Sequence, residues 1–142
     1  NPFVIEYNVR MGDPETEVVI PRLDESFSDM ITAAKEGMLT NGTAAVKSGY
    51  CTTVFAVSGG YPESYEKGKQ ITIGESKETL FHAGTKINRD MLYTNGGRVL
   101  AATCFGDTML DALQASYHQI ENVHFDKKHF RVDIGDDLKK YK

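Results

Sequence analysis

The amino-acid sequence predicts an α+β chain in two parts: a terminal strand and helix over residues 1–42, then a small β-rich module with one helix over residues 43–142. Three observations carry this. Phe3, Ile5, Tyr7, Val9 and Met11 alternate with polar residues, the period of two that lines one face of a strand. Phe27, Met30, Ile31, Ala34, Met38 and Leu39 then fall into helical spacing and form one apolar stripe. Beyond Asn41-Gly42 the chain breaks into short β-branched runs separated by glycine-rich turns, with one amphipathic stretch among them.

After the first strand, Gly12-Asp13-Pro14-Glu15 is a turn signal, because Pro14 fixes φ and removes a donor. Residues 17–20 read as a further short extended piece closed by Pro21. The helix expected over about residues 24–39 is capped by Asp24 or Ser26 and stopped by Asn41-Gly42. Residues 52–58 form an apolar strand, and 70–73 and 79–83 shorter ones. Residues 91–94 and 98–103 flank Asn95-Gly96-Gly97, which predicts a hairpin with a tight turn at positive φ. A second helix follows over residues 107–121, with Leu110, Leu113, Tyr117 and Ile120 on one side. Residues 130–134 read as a closing strand before a lysine-rich tail.

Composition narrows the function. Sixteen Lys and Arg against twenty Asp and Glu leave a net charge of −4, the wrong sign for a general nucleic-acid binder. Seven Phe and seven Tyr can fill a core without Trp. No apolar stretch approaches the roughly 20 residues of a membrane helix, so no membrane partner is expected. Two cysteines are too few for a disulfide framework or an all-cysteine zinc site, and a reduced, cytoplasmic setting is the expectation. The chain opens at Asn1 on an apolar run rather than at Met, which carries the expectation of a piece of a longer chain.

Two groups of residues can carry chemistry. Glu6, Asn8 and Arg10 share one face of the first strand, roughly 6.5–7 Å apart in succession. A carboxylate and an amide oxygen are hard ligands suited to Mg²⁺, and an arginine beside them can steady a phosphoryl or acyl-phosphate charge. The same row also describes a solvated strand face. Gly96, Gly97 and Arg98 read either as a phosphate cradle, with free amides beside a bidentate cation, or as a plain hairpin turn. Lys67 and Arg89 are weaker candidates of the same kind and read as surface charges. His82, near a turn, is a base or a satisfied histidine; His124 and His129 lack supporting metal ligands. Cys51 and Cys104 lie in apolar β contexts as packing thiols.

The wording of these segments resembles the phosphoribosylamine–glycine ligase (glycinamide ribonucleotide synthetase) family. Residues 5–16, with the pattern E-x-N-x-R followed by R-x-G-D-P-E-T, are similar to the last strand of its ATP-grasp domain. Gly60-Tyr61-Pro62 with Tyr65 and Lys67-Gly68, then Phe81-His82-Ala83-Gly84-Thr85, then Thr94-Asn95-Gly96-Gly97-Arg98-Val99-Leu100, follow in that family's order. The resemblance implies that residues 1–42 end an ATP-grasp domain and that residues 43–142 form a small β-barrel-like, single-hybrid-type domain. It implies an ATP-dependent ligase of de novo purine biosynthesis that joins glycine to 5-phosphoribosylamine through glycyl phosphate. Glu6 and Asn8 then match ligands of the Mg²⁺ (or Mn²⁺) that bridges the ATP phosphates, and Arg10 matches a catalytic residue facing the transferring phosphoryl group. Asp13 and Glu15 lie near glycine and phosphoribosylamine, although Asp13 can equally bond its own turn. The resemblance also implies a contact of Gly96, Gly97 and Arg98 with the phosphoribosyl side, beside the plain hairpin reading. The expected partners are ATP, the two substrates and the upstream part of the same enzyme, with a monomer favoured for the full-length chain. The 142 residues alone are expected to be inactive. Two rivals are another ATP-grasp carboxylate–amine ligase or carboxylase, and a non-catalytic β module binding a phosphosugar or a protein.

Overall fold

A computed structural model of the chain describes residues 2–5, 7, 9–39, 42–75 and 78–141. The chain divides into two compact units, residues 1–48 and 49–142.

The first unit holds two short helices, α1 (Thr16–Arg22) and α2 (Phe27–Lys35). The expected strand over residues 3–11 is not formed by its described residues, and Ile5 and Val9 are 96% and 98% exposed. Alternation assigns side chains to faces, but a strand exists only where a neighbour accepts its backbone bonds. Residues 17–20, expected to be extended, belong to α1. The turn at Pro14-Glu15 starts it, with the Val18 and Val19 amides donating to the Glu15 carbonyl at 3.0 and 2.9 Å. Pro21 lies in the last turn, where it withholds one amide from the helical ladder, and the helix stops at the next residue.

Ser26 caps α2, its hydroxyl accepting from the Asp29 amide at 3.3 Å. The helix ends at Gly37 rather than at Asn41-Gly42. Gly37 adopts φ +70°, and the Met38 amide reaches back to the Ala33 carbonyl (2.8 Å) while Gly37 reaches Ala34 (3.2 Å). This is a Schellman closure, and glycine meets its left-handed requirement at no steric cost. A single antiparallel bridge, Leu23 to Val46, ties the return segment to the end of α1.

The second unit contains two four-stranded antiparallel sheets. Strands β1 (Tyr50–Ser58), β3 (Thr79–His82), β6 (Arg98–Gly106) and β8 (Lys128–His129) form the first, in the order β3-β6-β1-β8. Strands β2 (Gln70–Ile73), β4 (Thr85–Asn88), β5 (Met91–Thr94) and β7 (Val123–His124) form the second, in the order β4-β5-β2-β7. Helix α3 (Met109–Glu121) packs on β1 and β6. Val54, Ala56, Leu100 and Ala102 meet Leu113, Ile120 and Val123 in the core, all buried. Thr108 opens α3 with a reciprocal cap, Thr108 and Asp111 each satisfying the other's amide. At its far end the Lys128 ammonium donates to the carbonyls of Ile120 (2.9 Å), Glu121 (3.3 Å) and Val123 (2.5 Å). Burial lowers the Lys128 pKa, but a cation at the negative end of a helix is favourably placed.

Several expectations change here. Leu110 is half exposed, and Ala112, Ser116 and Gln119 join Leu113 and Ile120 on the buried side of α3. Residues 130–134 form no strand; only Lys128–His129 pair, with the end of β1. Most consequentially, β5 and β6 are not a hairpin. They belong to different sheets, and neither Gly96 nor Gly97 has a positive φ. The two-residue hairpin turn is Arg89-Asp90 between β4 and β5, with φ +47° and +62° and Asn88 opposite Met91.

Candidate functional site

The described part of the first unit presents Arg10, Asp13 and Glu15 within one turn. The Arg10 Nη1 donates to the Met11 carbonyl at 2.9 Å. The Glu15 carboxylate folds back over Gly12, so that a Cβ there would stand 1.6 Å from Oε1. The Thr16 hydroxyl donates to the Gly12 carbonyl and ties the turn to the start of α1. Glu6 and Asn8, the expected metal ligands, lie outside the described residues. Among the described residues, no three or more His, Cys, Asp and Glu side chains gather into a group able to hold a metal ion.

Gly96, Gly97 and Arg98 sit where three connections of the second unit meet: the loop after β1, the turn after β3 and the link from β5 to β6. The link is held by its carbonyls. Ser58, 4% exposed, donates its hydroxyl to the Gly96 carbonyl and its amide to the Gly97 carbonyl, both at 2.8 Å. The Gly84 amide donates to the Arg98 carbonyl at 2.8 Å, and the Asn95 amide to the Gly84 carbonyl at 2.7 Å. The glycines are explained by crowding rather than by a tight turn. A Cβ on Gly97 would fall 2.1 Å from the Tyr61 ring, and one on Gly84 would fall 2.7 Å from the Gly96 Cα.

Arg98 is aimed by a β-bulge. Phe55 stands opposite Ala101 and Ala56 opposite Leu100, yet the next pair is Val57 with Arg98, leaving Val99 as an extra residue on β6. Unbroken register would set Arg98 opposite Ser58, on the Ala56 face of the sheet. The extra residue turns it to the Phe55 face, since side chains alternate along a strand. Its guanidinium carbon stands 5.7 Å from the Phe55 ring centroid. Sequence patterning misses Phe55, which reads there only as part of an apolar run; a bulge leaves no mark in periodicity.

The loop after β1 is also braced by charge. The Lys69 ammonium lies 2.7 Å from Glu66 and 3.1 Å from Asp126, and Lys127 lies 3.3 Å from Glu66. Hydrogen bonds from Lys69 and Lys127 hold the Glu66 carboxyl below its ordinary pKa, and Glu66 with Asp126 raises that of Lys69. Of the other candidates, His82 shares a 3.1 Å hydrogen bond between Nδ1 and the Thr85 hydroxyl, the satisfied-histidine outcome. Arg89 occupies the β4–β5 turn and Lys67 is exposed in the loop. His124 and His129 fall in different sheets. Cys104 is fully buried, and burial pushes its thiol up to about 11; Cys51 is half-buried.

Residues 51–137 match the family described as phosphoribosylglycinamide synthetase, C domain. The chain belongs to that family. It is 40% identical over 139 residues to the phosphoribosylamine–glycine ligase of Chlorobaculum tepidum, covering 94% of this chain and 33% of that protein. It is 42% identical over 139 residues to a bifunctional purine biosynthetic protein of Pichia angusta, covering 95% of this chain and 18% of that one. The crystal structure of the Thermotoga maritima phosphoribosylamine–glycine ligase superposes with a TM-score of 0.85 at 38% identity, over 94% of this chain and 33% of that chain. The chain thus spans about a third of the ligases it matches, and less than a fifth of the bifunctional protein. Among the described residues, no helix is long and apolar enough to cross a membrane.

Proposed function

We propose that the chain works as the C-terminal part of a phosphoribosylamine–glycine ligase. The complete enzyme would be an ATP-dependent carbon–nitrogen ligase of de novo purine biosynthesis, acting in the cytoplasm. One observation carries the reading: likeness at 38–40% identity over 94% of the chain to proteins that bear that name, one of them a solved structure. Residues 1–42 end an ATP-grasp domain in this reading, and the two sheets of residues 49–142 are the walls of a small barrel-like domain. Glycine's carboxylate attacks the γ-phosphoryl of ATP to give glycyl phosphate. The amine of 5-phosphoribosylamine then displaces phosphate and forms the amide.

The residues divide the work by chemistry. Arg10 offers a delocalised, permanently charged guanidinium to the transferring phosphoryl group. Asp13 and Glu15 offer carboxylates to the amino groups of the two substrates. Arg98, with the Gly96 and Gly97 amides, meets the phosphate of the phosphoribosyl group, for which a planar guanidinium is a bidentate partner. Glu6 and Asn8 hold Mg²⁺, with Mn²⁺ as a substitute; a hard carboxylate and amide donor pair suits either ion. When bound, the ion neutralises charge on the nucleotide phosphates.

The test is ADP release by a longer chain containing these residues. Release that requires glycine and 5-phosphoribosylamine together is the expected result. Turnover with a different carboxylate substrate, and none with glycine, overturns the reading. The 142-residue chain alone is expected to release no ADP above background. In the longer chain, Glu6→Gln is expected to move the magnesium requirement of turnover to higher concentration, and an unchanged magnesium profile removes Glu6 from the ligand set.

A further inference from the structure

We infer that Phe55 is a positioning residue for Arg98, and that the bulge at Val99 is the device that brings the two together. The inference rests on the reading of Arg98 as the contact to the phosphoribosyl substrate and deepens it by naming what holds that contact in place. Without the bulge, Arg98 would share the face of Ala56, which is fully buried in the core against α3. Burying a guanidinium beside Ala56 would strip it of water, at a large cost. The extra residue moves Arg98 across the sheet to the face of Phe55, with the guanidinium 5.7 Å from the ring centroid.

The guanidinium lies over the Phe55 ring, which limits where the side chain can swing. A planar guanidinium is a bidentate partner for phosphate oxygens, and a ring beside it restricts the positions from which it can act so. The backbone is held separately from the side chain. Ser58, three residues on from Phe55, takes the Gly96 and Gly97 carbonyls through its hydroxyl and amide. The end of β1 therefore holds the peptide that leads into Arg98 and supplies the ring that its guanidinium lies over. Phe55 touches no reacting atom and acts only through Arg98.

Steady-state kinetics of the full-length ligase chain test this, with melting temperature measured alongside. Phe55→Leu is expected to raise KM for 5-phosphoribosylamine about fivefold, leaving kcat and the KM values for ATP and glycine within about twofold. Phe55→Tyr, which keeps the ring face, should return that KM to within about twofold of the parent. Arg98→Gln should raise it about tenfold or more. An unchanged KM for 5-phosphoribosylamine in Phe55→Leu, beside a raised one in Arg98→Gln, overturns the positioning role while leaving the substrate contact standing. A loss of kcat and melting temperature shared by Phe55→Leu and Phe55→Tyr, with all KM values moving together, also overturns it in favour of packing. If Arg98→Gln leaves every constant unchanged, Arg98 is not the contact and both readings fall.

Discussion

Residues 3–9 and strand β1 (50–58) both carry a strand signal, alternating apolar side chains in the first and a continuous apolar run in the second, and meet opposite fates. In β1, Val54 and Ala56 are fully buried, paired to β6 on one side and covered by α3. In residues 3–9 the described apolar side chains are exposed, Ile5 and Val9 almost completely. No described residue of the first unit is buried, while every buried hydrophobic residue among those described belongs to the second. Alternation is thus a statement about a strand's two faces. Burial needs a second layer to cover one of them and a neighbouring strand to satisfy the backbone.

The sharpest way to break this contrast is a pair of truncations in the 142-residue chain, read by urea unfolding. Leu100→Ala, at a fully buried position, is expected to cost about 3–4 kcal/mol through lost transfer energy and the cavity left behind. Ile5→Ala should change stability by less than about 0.5 kcal/mol. Equal losses would mean that the two regions are packed alike. A smaller effect, about 1–2 kcal/mol, is expected for Ser58→Ala, which leaves the buried end of the β5–β6 link without its hydroxyl donor. Back in the first unit, Ser26→Ala should cost about 0.5–1 kcal/mol and shorten α2 as seen in amide exchange, because the cap is exposed.

A further difference depends on pH. Burial raises the Cys104 thiol from 9.0 to about 11, so the folded chain keeps a proton that the unfolded chain releases first. Between those values the unfolded state binds fewer protons, and stability falls as pH rises. The contribution is complete below about pH 9 and lost on the way to 11. Unfolding at pH 8 and pH 10 should show a drop in the parent that is reduced in Cys104→Ala. A drop of the same size in both proteins would assign the slope to another group.

Much of the second unit was legible because its signals are local. The apolar run of β1, the short strand β2 and the period of α3 each follow from residues adjacent in the chain, as does the Ser26 cap in the first unit. What was not legible depends on partners. Asn95-Gly96 is a strong hairpin dipeptide, yet the hairpin forms at Arg89-Asp90, where aspartate tolerates the left-handed region and the β4–β5 pairing selects the turn. The helical fate of residues 17–20 was hidden because β-branched Val18, Val19 and Ile20 favour strands in isolation, while the turn at Pro14-Glu15 starts a helix. In the candidate site, Arg98 and its glycines stand out by type. Phe55 does not, since only the bulge brings it under the guanidinium.

The contact between Tyr61 and Gly97 has a consequence for how this chain can vary. The ring of one occupies the volume that a side chain on the other would need. Two positions far apart in the chain are therefore linked, and a side chain at 97 requires the ring at 61 to move or be lost. An alanine at 97 requires the ring at 61 to shift, whereas losing the ring first opens the space that the alanine needs. Substitutions at the two positions should be strongly non-additive, with the double change milder than the sum of the singles. Redesign of this loop has to treat 61 and 97 as a single coordinate.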